Sequence, residues 1–287
     1  MNDQAHQLRK QMNDTGKEAK TIAVISGKGG VGKSNITLNF ALDLVERGKK
    51  VLIFDLDIGM GNIDILLGLQ SQYSIVDMFN QHLPIEKVIE TTTTGLSYIT
   101  AGSGLTDLFQ MNEEKINFFL MQFNEVLNRY DYIFFDMGAG ATKESLFYIL
   151  SADECFVVTT PEPTAMMDAY AMIKHVYHRN NELPFYLIMN RATSSKEGEI
   201  ATERLKRVVL QFLNKECVAL GQLPLDAVVS KSVTKQQPFI MSEPKSKVAK
   251  ELHRLIDTYL NETDVDCVNS KQPRSFITKL KKLIRER

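Results

Sequence analysis

Eight consecutive residues, Gly27-Lys28-Gly29-Gly30-Val31-Gly32-Lys33-Ser34, carry the clearest chemistry in the chain. Glycines let successive backbone N–H groups turn inward toward phosphate oxygens, and a helix opening near Lys33 adds the positive end of its dipole. Lys33 supplies an ammonium to bridge β- and γ-phosphates, and Ser34 supplies a hydroxyl to ligate Mg2+. The run also fits a dinucleotide fingerprint, Gly27-x-Gly29-x-x-Gly32, with Asp55 ending the next strand. A dinucleotide loop needs neither the lysine nor the hydroxyl, so their presence directly after the last glycine favours a triphosphate loop. An NAD-linked oxidoreductase using Gly27, Gly29, Gly32 and Asp55 is the rival from another functional class.

Three further groups suit such a loop. Tyr132-Ile133-Phe134-Phe135-Asp136 reads as an apolar strand closed by an acid able to hold Mg2+ through water, or simply as a capped core strand. Asp55-Leu56-Asp57 ends another strand with two carboxylates at alternate positions that face one way. One can touch the Mg2+ shell and the other orient the attacking water; a solvated strand end is the plainer reading. The segments 58–61 and 137–140, Ile-Gly-Met-Gly and Met-Gly-Ala-Gly, follow those acids and have the freedom of loops that sense a γ-phosphate. Asn190-Arg191 closes the run FYLIMN, where a side-chain amide can meet a base edge. The base is expected to be adenine, because Asn214-Lys215-Glu216-Cys217 lacks the final acid of the guanine-reading Asn-Lys-x-Asp run.

Positioning these groups takes alternating elements. From Thr21, short β-rich runs (TIAVIS, KVLIFD, LSYITA, YIFFD, CFVVTT, FYLIMN, CVALGQLP) alternate with amphipathic helical stretches, which predicts an α/β fold with a mostly parallel sheet covered by helices on both faces. Ligands of such sheets sit outside the carboxyl ends of the strands. With 287 residues, 44% of them hydrophobic, the chain can bury a substantial core. Its 34 basic and 35 acidic residues leave a formal charge of -1, so nothing global predicts nucleic-acid binding. Cys155, Cys217 and Cys267 show no metal or disulfide spacing, which fits a reducing cytosol. No apolar leader or run long enough to span a bilayer is visible. The expected organisation is a mobile arm at 1–20, a core at 21–260, a linker at 261–274 and a terminal helix at 275–287.

Lys28 adds something an ordinary phosphate loop does not need. KGGVGKS, with DLDIGMGNID and FFDMGAG, resembles the deviant Walker A pattern of the ParA/MinD family of dimeric P-loop ATPases, over roughly 21–260. The resemblance implies ATP and Mg2+ as ligands and slow hydrolysis that acts as a timer. By it, Lys28 reaches the partner's nucleotide in an ATP-dependent homodimer, Lys33 and Ser34 bind phosphate and Mg2+, Asp57 positions the water, and Asp136 belongs to the metal shell. It also places adenine against Asn190 and near the backbone of Leu225-Asp226. No cysteine follows the second switch as an iron–sulphur relative would require.

The two ends bear on which timer this is. In 275–287, Phe276, Ile277, Leu280, Leu283 and Ile284 form one helical stripe, and Lys279, Lys282 and other cations fill the remainder, the build of an in-plane helix on anionic lipid. A helix packed on the domain's own core is the alternative, and the two can coexist. One short helix binds lipid weakly, and two joined in a dimer bind far better. Asp3-Gln4-Ala5-His6-Gln7-Leu8-Arg9 resembles the DQAxxLR arm of the FlhG (YlxH, FleN) branch of MinD-like flagellar regulators. That resemblance implies Gln4 as the group that stimulates an FlhF-type GTPase, flagellar switch-ring (C-ring) proteins as further partners, and a cytoplasmic protein that joins the inner face of the cell membrane with ATP. A MinD-type division-site ATPase, a ParA-type partition ATPase and a non-hydrolysing scaffold remain as alternatives.

Overall fold

Runs rich in Val, Ile and Phe favour the pleated backbone and build the sheet. The computed structural model describes residues 18–57, 61–100, 113–140, 142–266 and 275–285. Strands β1 (Lys20–Ile25), β2 (Val51–Leu56), β3 (Glu90–Thr91), β4 (Ser97–Ile99), β5 (Tyr132–Met137), β6 (Glu154–Thr159), β7 (Phe185–Ala192) and β8 (Val218–Pro224) form one sheet in the order β3-β4-β2-β5-β1-β6-β7-β8. All pairings are parallel except that of β3 with β4. The helices are α1 (Lys33–Glu46), α2 (Ile63–Leu67), α3 (Ile75–Asn80), α4 (Glu113–Leu127), α5 (Lys143–Ser151), α6 (Pro163–Tyr177), α7 (Ser195–Leu213), α8 (Ala227–Thr234), α9 (Phe239–Ser242), α10 (Lys247–Asp266) and α11 (Phe276–Arg285).

Each face of the sheet has its own core. Alternate residues of β5 point to opposite faces, so Ile133 and Phe135 join one core and Phe134 the other. Phe40 of α1 and Phe156 of β6 meet Phe134 on its side, and Tyr259 of α10 packs on both of them. On the other, Phe119 and Phe123 of α4, Tyr148 of α5 and Phe276 of α11 surround Phe54 and Phe135. Helix α1 is buried nearly all round, as expected of a helix between sheet and outer helices.

The topology places the phosphate loop at the sheet's centre. Strand β1 lies between β5 and β6, and the β2–β5 register sets Asp55 level with Asp136. The loop leaving β1 therefore emerges beside both carboxylates, at the end where parallel sheets bind ligands.

The structure differs from the sequence reading in a few places. Helix α10 runs through Asp266, six residues into the expected linker, because nothing between Leu260 and Asp266 breaks a helix. Strand β4 falls within the expected run LSYITA, whereas β3 and the short helices α2, α3, α8 and α9 carry too few residues for a readable period. Residues 1–17, including Gln4, and 58–60 of the first glycine segment lie outside the described residues. The terminal helix forms as expected, and its stripe is packed: Phe276, Ile277 and Leu280 are buried against α4 and α5, and Leu283 and Ile284 are half-buried there.

Candidate nucleotide site

Two loop glycines have left-handed backbones, Gly30 with φ +76° and Gly32 with φ +94°, a conformation that side-chain-bearing residues rarely hold. Gly32 caps α1 without any side-chain cap, so the helix's first N–H groups are left for a ligand. Gly27 meets a second demand, close approach: a Cβ there would lie 2.1 Å from the backbone carbonyl of Asp168 in α6. The loop is thus seated directly on α6. A cavity of about 840 Å3 opens over it, lined among others by Gly29 to Ser34, Asp57, Asn190, Arg191, Leu225 and Asp226. Eleven of the residues expected to bind nucleotide or orient water are therefore brought together around one space: Gly29 to Ser34, Asp57, Asn190, Arg191, Leu225 and Asp226.

Beneath the cavity lies a charged floor. Lys33 Nζ donates to Asp136 Oδ1 at 2.9 Å, and the Thr37 hydroxyl donates to the same oxygen at 3.4 Å. The other oxygen of Asp136 is buried with no partner among the described residues, as is Ser26 Oγ just before the loop. Such orphaned oxygens are costly unless an ion or water meets them. Hard oxygen donors that include a hydroxyl (Ser34) and a buried carboxylate suit Mg2+, which keeps several waters and takes its other ligands from phosphates. The donors present therefore fit the ion.

Asp55 of β2 and Asp57 just past its end take different positions. Both oxygens of Asp55 accept backbone N–H groups, Oδ1 from Asp57 at 3.1 Å and Oδ2 from Asn62 at 2.8 Å and Ile63 at 3.2 Å. Asp55 thus ties the end of the first glycine segment to the sheet. Burial, helped by the Asp136 charge, raises its pKa to about 7 despite those bonds. Asp57 faces the cavity; burial raises its pKa too, opposed by the charge of Lys33. A Cβ on Gly138 would come within 3.0 Å of Asp57 Oδ1, so the second glycine segment lies against the water-orienting candidate.

Lys28 and Asn190 are both held. Lys28 points away from the loop to α6, where Nζ lies 3.1 Å from Glu162 Oε2 and 3.5 Å from Thr164 Oγ1 in an exposed pair. Asn190 Nδ2 donates to Val31 O at 2.7 Å and its Oδ1 accepts the N–H of Arg191, whose φ of +58° is left-handed. Asp226 caps α8 by accepting the N–H of Val228, and Leu225 is 63% exposed at the rim. Sequence reasoning missed Ser26, Thr37 and Glu162, although each has a positional signal: one residue before the loop, one helical turn after Lys33, and the residue before the proline that opens α6.

A central β1 between β5 and β6, feeding a glycine loop with Lys33 and Ser34 beside Asp136, defines a P-loop nucleotide triphosphatase, with Lys28 marking the deviant type. The sequence model of the ParA family, described as "NUBPL iron-transfer P-loop NTPase", matches residues 17–260. The chain belongs to the ParA/MinD family of P-loop ATPases. It is 30% identical to the antiactivator FleN of Pseudomonas aeruginosa, over 80% of this chain and 82% of that one. It is also 30% identical to the flagellum site-determining protein YlxH of Helicobacter pylori, over 99% of this chain and 100% of that one. In fold it is similar to the septum site-determining protein MinD of Pyrococcus horikoshii, solved with Mg-ADP, with a TM-score of 0.70 at 23% identity over 86% of this chain and 98% of that one.

Proposed function

We propose that this ATPase regulates flagellar number and placement: it pairs with a second copy on ATP, joins anionic membrane through α11, and stimulates an FlhF-type GTPase through Gln4 of its N-terminal arm. The flagellar reading is supported by the likeness to an antiactivator FleN over 80% of the chain and to a flagellum site-determining YlxH over 99% of it. C-ring proteins are its further partners.

The observation that carries the switch is the position of Lys28. Its ammonium lies outside its own cavity on an exposed pair with Glu162, a contact that contributes about 0–1 kcal/mol and yields readily to a triphosphate on a facing subunit. Inside each cavity, Lys33 would meet the β- and γ-phosphate oxygens in place of Asp136, and Ser34 Oγ and Asp136 are the groups that would hold Mg2+, whose charge would offset that of the phosphates. Asp57 orients the water, and the adjacent segment at Gly138 senses the γ-phosphate. Hydrolysis ends the paired state.

The described residues include no helix long and apolar enough to cross a membrane. Membrane contact falls to α11, whose stripe is buried in the monomer, so the docked and lipid-bound states use the same side chains and exclude one another. Size-exclusion chromatography of the wild type and Asp57→Ala with ADP and ATP, with and without vesicles, tests this. Asp57→Ala should lose turnover and stay paired on ATP; a monomer under that condition sinks the switch. A variant lacking 275–287 should keep ATPase activity and lose ATP-dependent vesicle sedimentation, and one carrying Gln4→Ala should fail to stimulate the GTPase.

A further inference from the structure

The cations of α11 do not share one position. Lys281 and Arg285 are exposed, whereas Lys279 turns inward: its Nζ donates to Asp153 Oδ1 at 3.0 Å and to the carbonyl of Ala152 at 3.3 Å. Both partners are in the turn between α5 and β6, and the side chains of Lys279 and Asp153 are 23% and 20% exposed. The acceptor is fixed before the helix arrives. Asp153 Oδ2 accepts the N–H of Thr21 at 3.0 Å and its hydroxyl at 2.7 Å, and the N–H of Asp153 donates back to Thr21 O and Oγ1. That cross-strand set leaves Oδ1 facing α11.

A cation held by a preorganised carboxylate and a carbonyl loses both when the helix undocks. We infer that Lys279 serves the docked state rather than the lipid-bound one: it is a positioning residue that latches α11 to Asp153, and the outward cations meet the lipid. This rests on the membrane reading above. The apolar stripe alone cannot discriminate between core and bilayer, because both accept Phe276, Ile277 and Leu280; the Lys279–Asp153 contact exists only in the docked state and biases the choice.

The test compares Lys279→Gln and Lys281→Gln in the full chain, two variants of equal charge, by sedimentation with phosphatidylglycerol vesicles in ADP. Removing the outward Lys281 weakens lipid attraction by about fivefold, and removing Lys279 weakens it by no more than that. Only the Lys279 variant also loosens docking, so it should bind about three- to tenfold better than the Lys281 variant. Asp153→Asn, which removes no charge from the tail, should bind more tightly than wild type, and Lys279→Arg should restore wild-type partition. Hydrogen exchange of residues 276–285 should rise in Lys279→Gln and stay unchanged in Lys281→Gln. Equal sedimentation and equal exchange of the two glutamine variants overturn the latch even if Asp153→Asn proves unstable. Should deletion of 275–287 leave vesicle binding intact, it is the membrane reading that fails.

Discussion

The nucleotide end of the sheet and the face that carries α11 are held by opposite means. At the phosphate loop, charged groups rest on provisional partners: Lys28 on an exposed glutamate, Lys33 on Asp136, and one oxygen of Asp136 on nothing among the described residues. Under α11 the contacts are mainly apolar, with Phe276 stacked on Phe135 at 5.0 Å and 17° and against Phe123 at 5.3 Å, and the Lys279–Asp153 pair stands at their edge. Fully burying a large apolar side chain contributes about 1.5–3 kcal/mol, more than an exposed ion pair. The loop is thus built to rearrange at little cost, and the tail to stay until something competes for its stripe. The two regions nevertheless share β5: Asp136 floors the cavity, and its neighbour Phe135 receives Phe276.

The strongest way to break this contrast is Lys33→Ala. Removing the group that bridges the phosphates should lower kcat by roughly 10²- to 10³-fold while α11 stays docked, read by steady-state ATPase assay and hydrogen exchange. Exchange rising in 276–285 would show that the loop and tail are not independent. Next, Phe276→Ala should release α11 without unfolding the core. Its own burial is worth about 3–5 kcal/mol in a closed core, but undocking caps the loss, so melting should shift little while residues 276–285 lose protection. A collapse of the melting transition would mean that α11 is part of the core.

Asp55 gives a smaller effect, in pH. Its folded pKa of about 7 lies above its ordinary value, so its contribution to stability is present below about pH 4 and lost as pH rises through about 7. Asp55→Asn should flatten that part of the stability profile in nucleotide-free protein, measured by denaturant unfolding between those values; an unchanged slope places the titration elsewhere. Smallest is Glu162→Gln, which frees Lys28 from an exposed partner. It should strengthen ATP-dependent pairing by no more than about fivefold in sedimentation velocity. Weaker pairing would instead show Glu162 supporting the trans position of Lys28.

Much of this was legible before any coordinates. Gly30 and Gly32 announce a loop with positive φ, Lys33-Ser34 announces a triphosphate with Mg2+, and apolar strands ending in Asp55 and Asp136 announce a parallel sheet with its site at the carboxyl ends. The short α8 and α9 were not legible, nor was β3, because so few residues establish no period. Asp55 and Asp57 looked alike at alternate positions of one strand, and only the return of the chain at Asn62 and Ile63 gave Asp55 both its bonds.

By itself, the sequence determined which groups exist and how they are spaced: the glycine loop, its two lysines, the acids at strand ends and an amphipathic tail. Tertiary structure alone decided what each group rests against. Spacing fixes a face within one element, but an apolar stripe is equally suited to lipid and to the groove between α4 and α5. A lysine suits a partner's phosphate as well as Glu162, or a lipid as well as Asp153. Those choices depend on elements that lie more than a hundred residues apart in the chain and meet only when the sheet has formed.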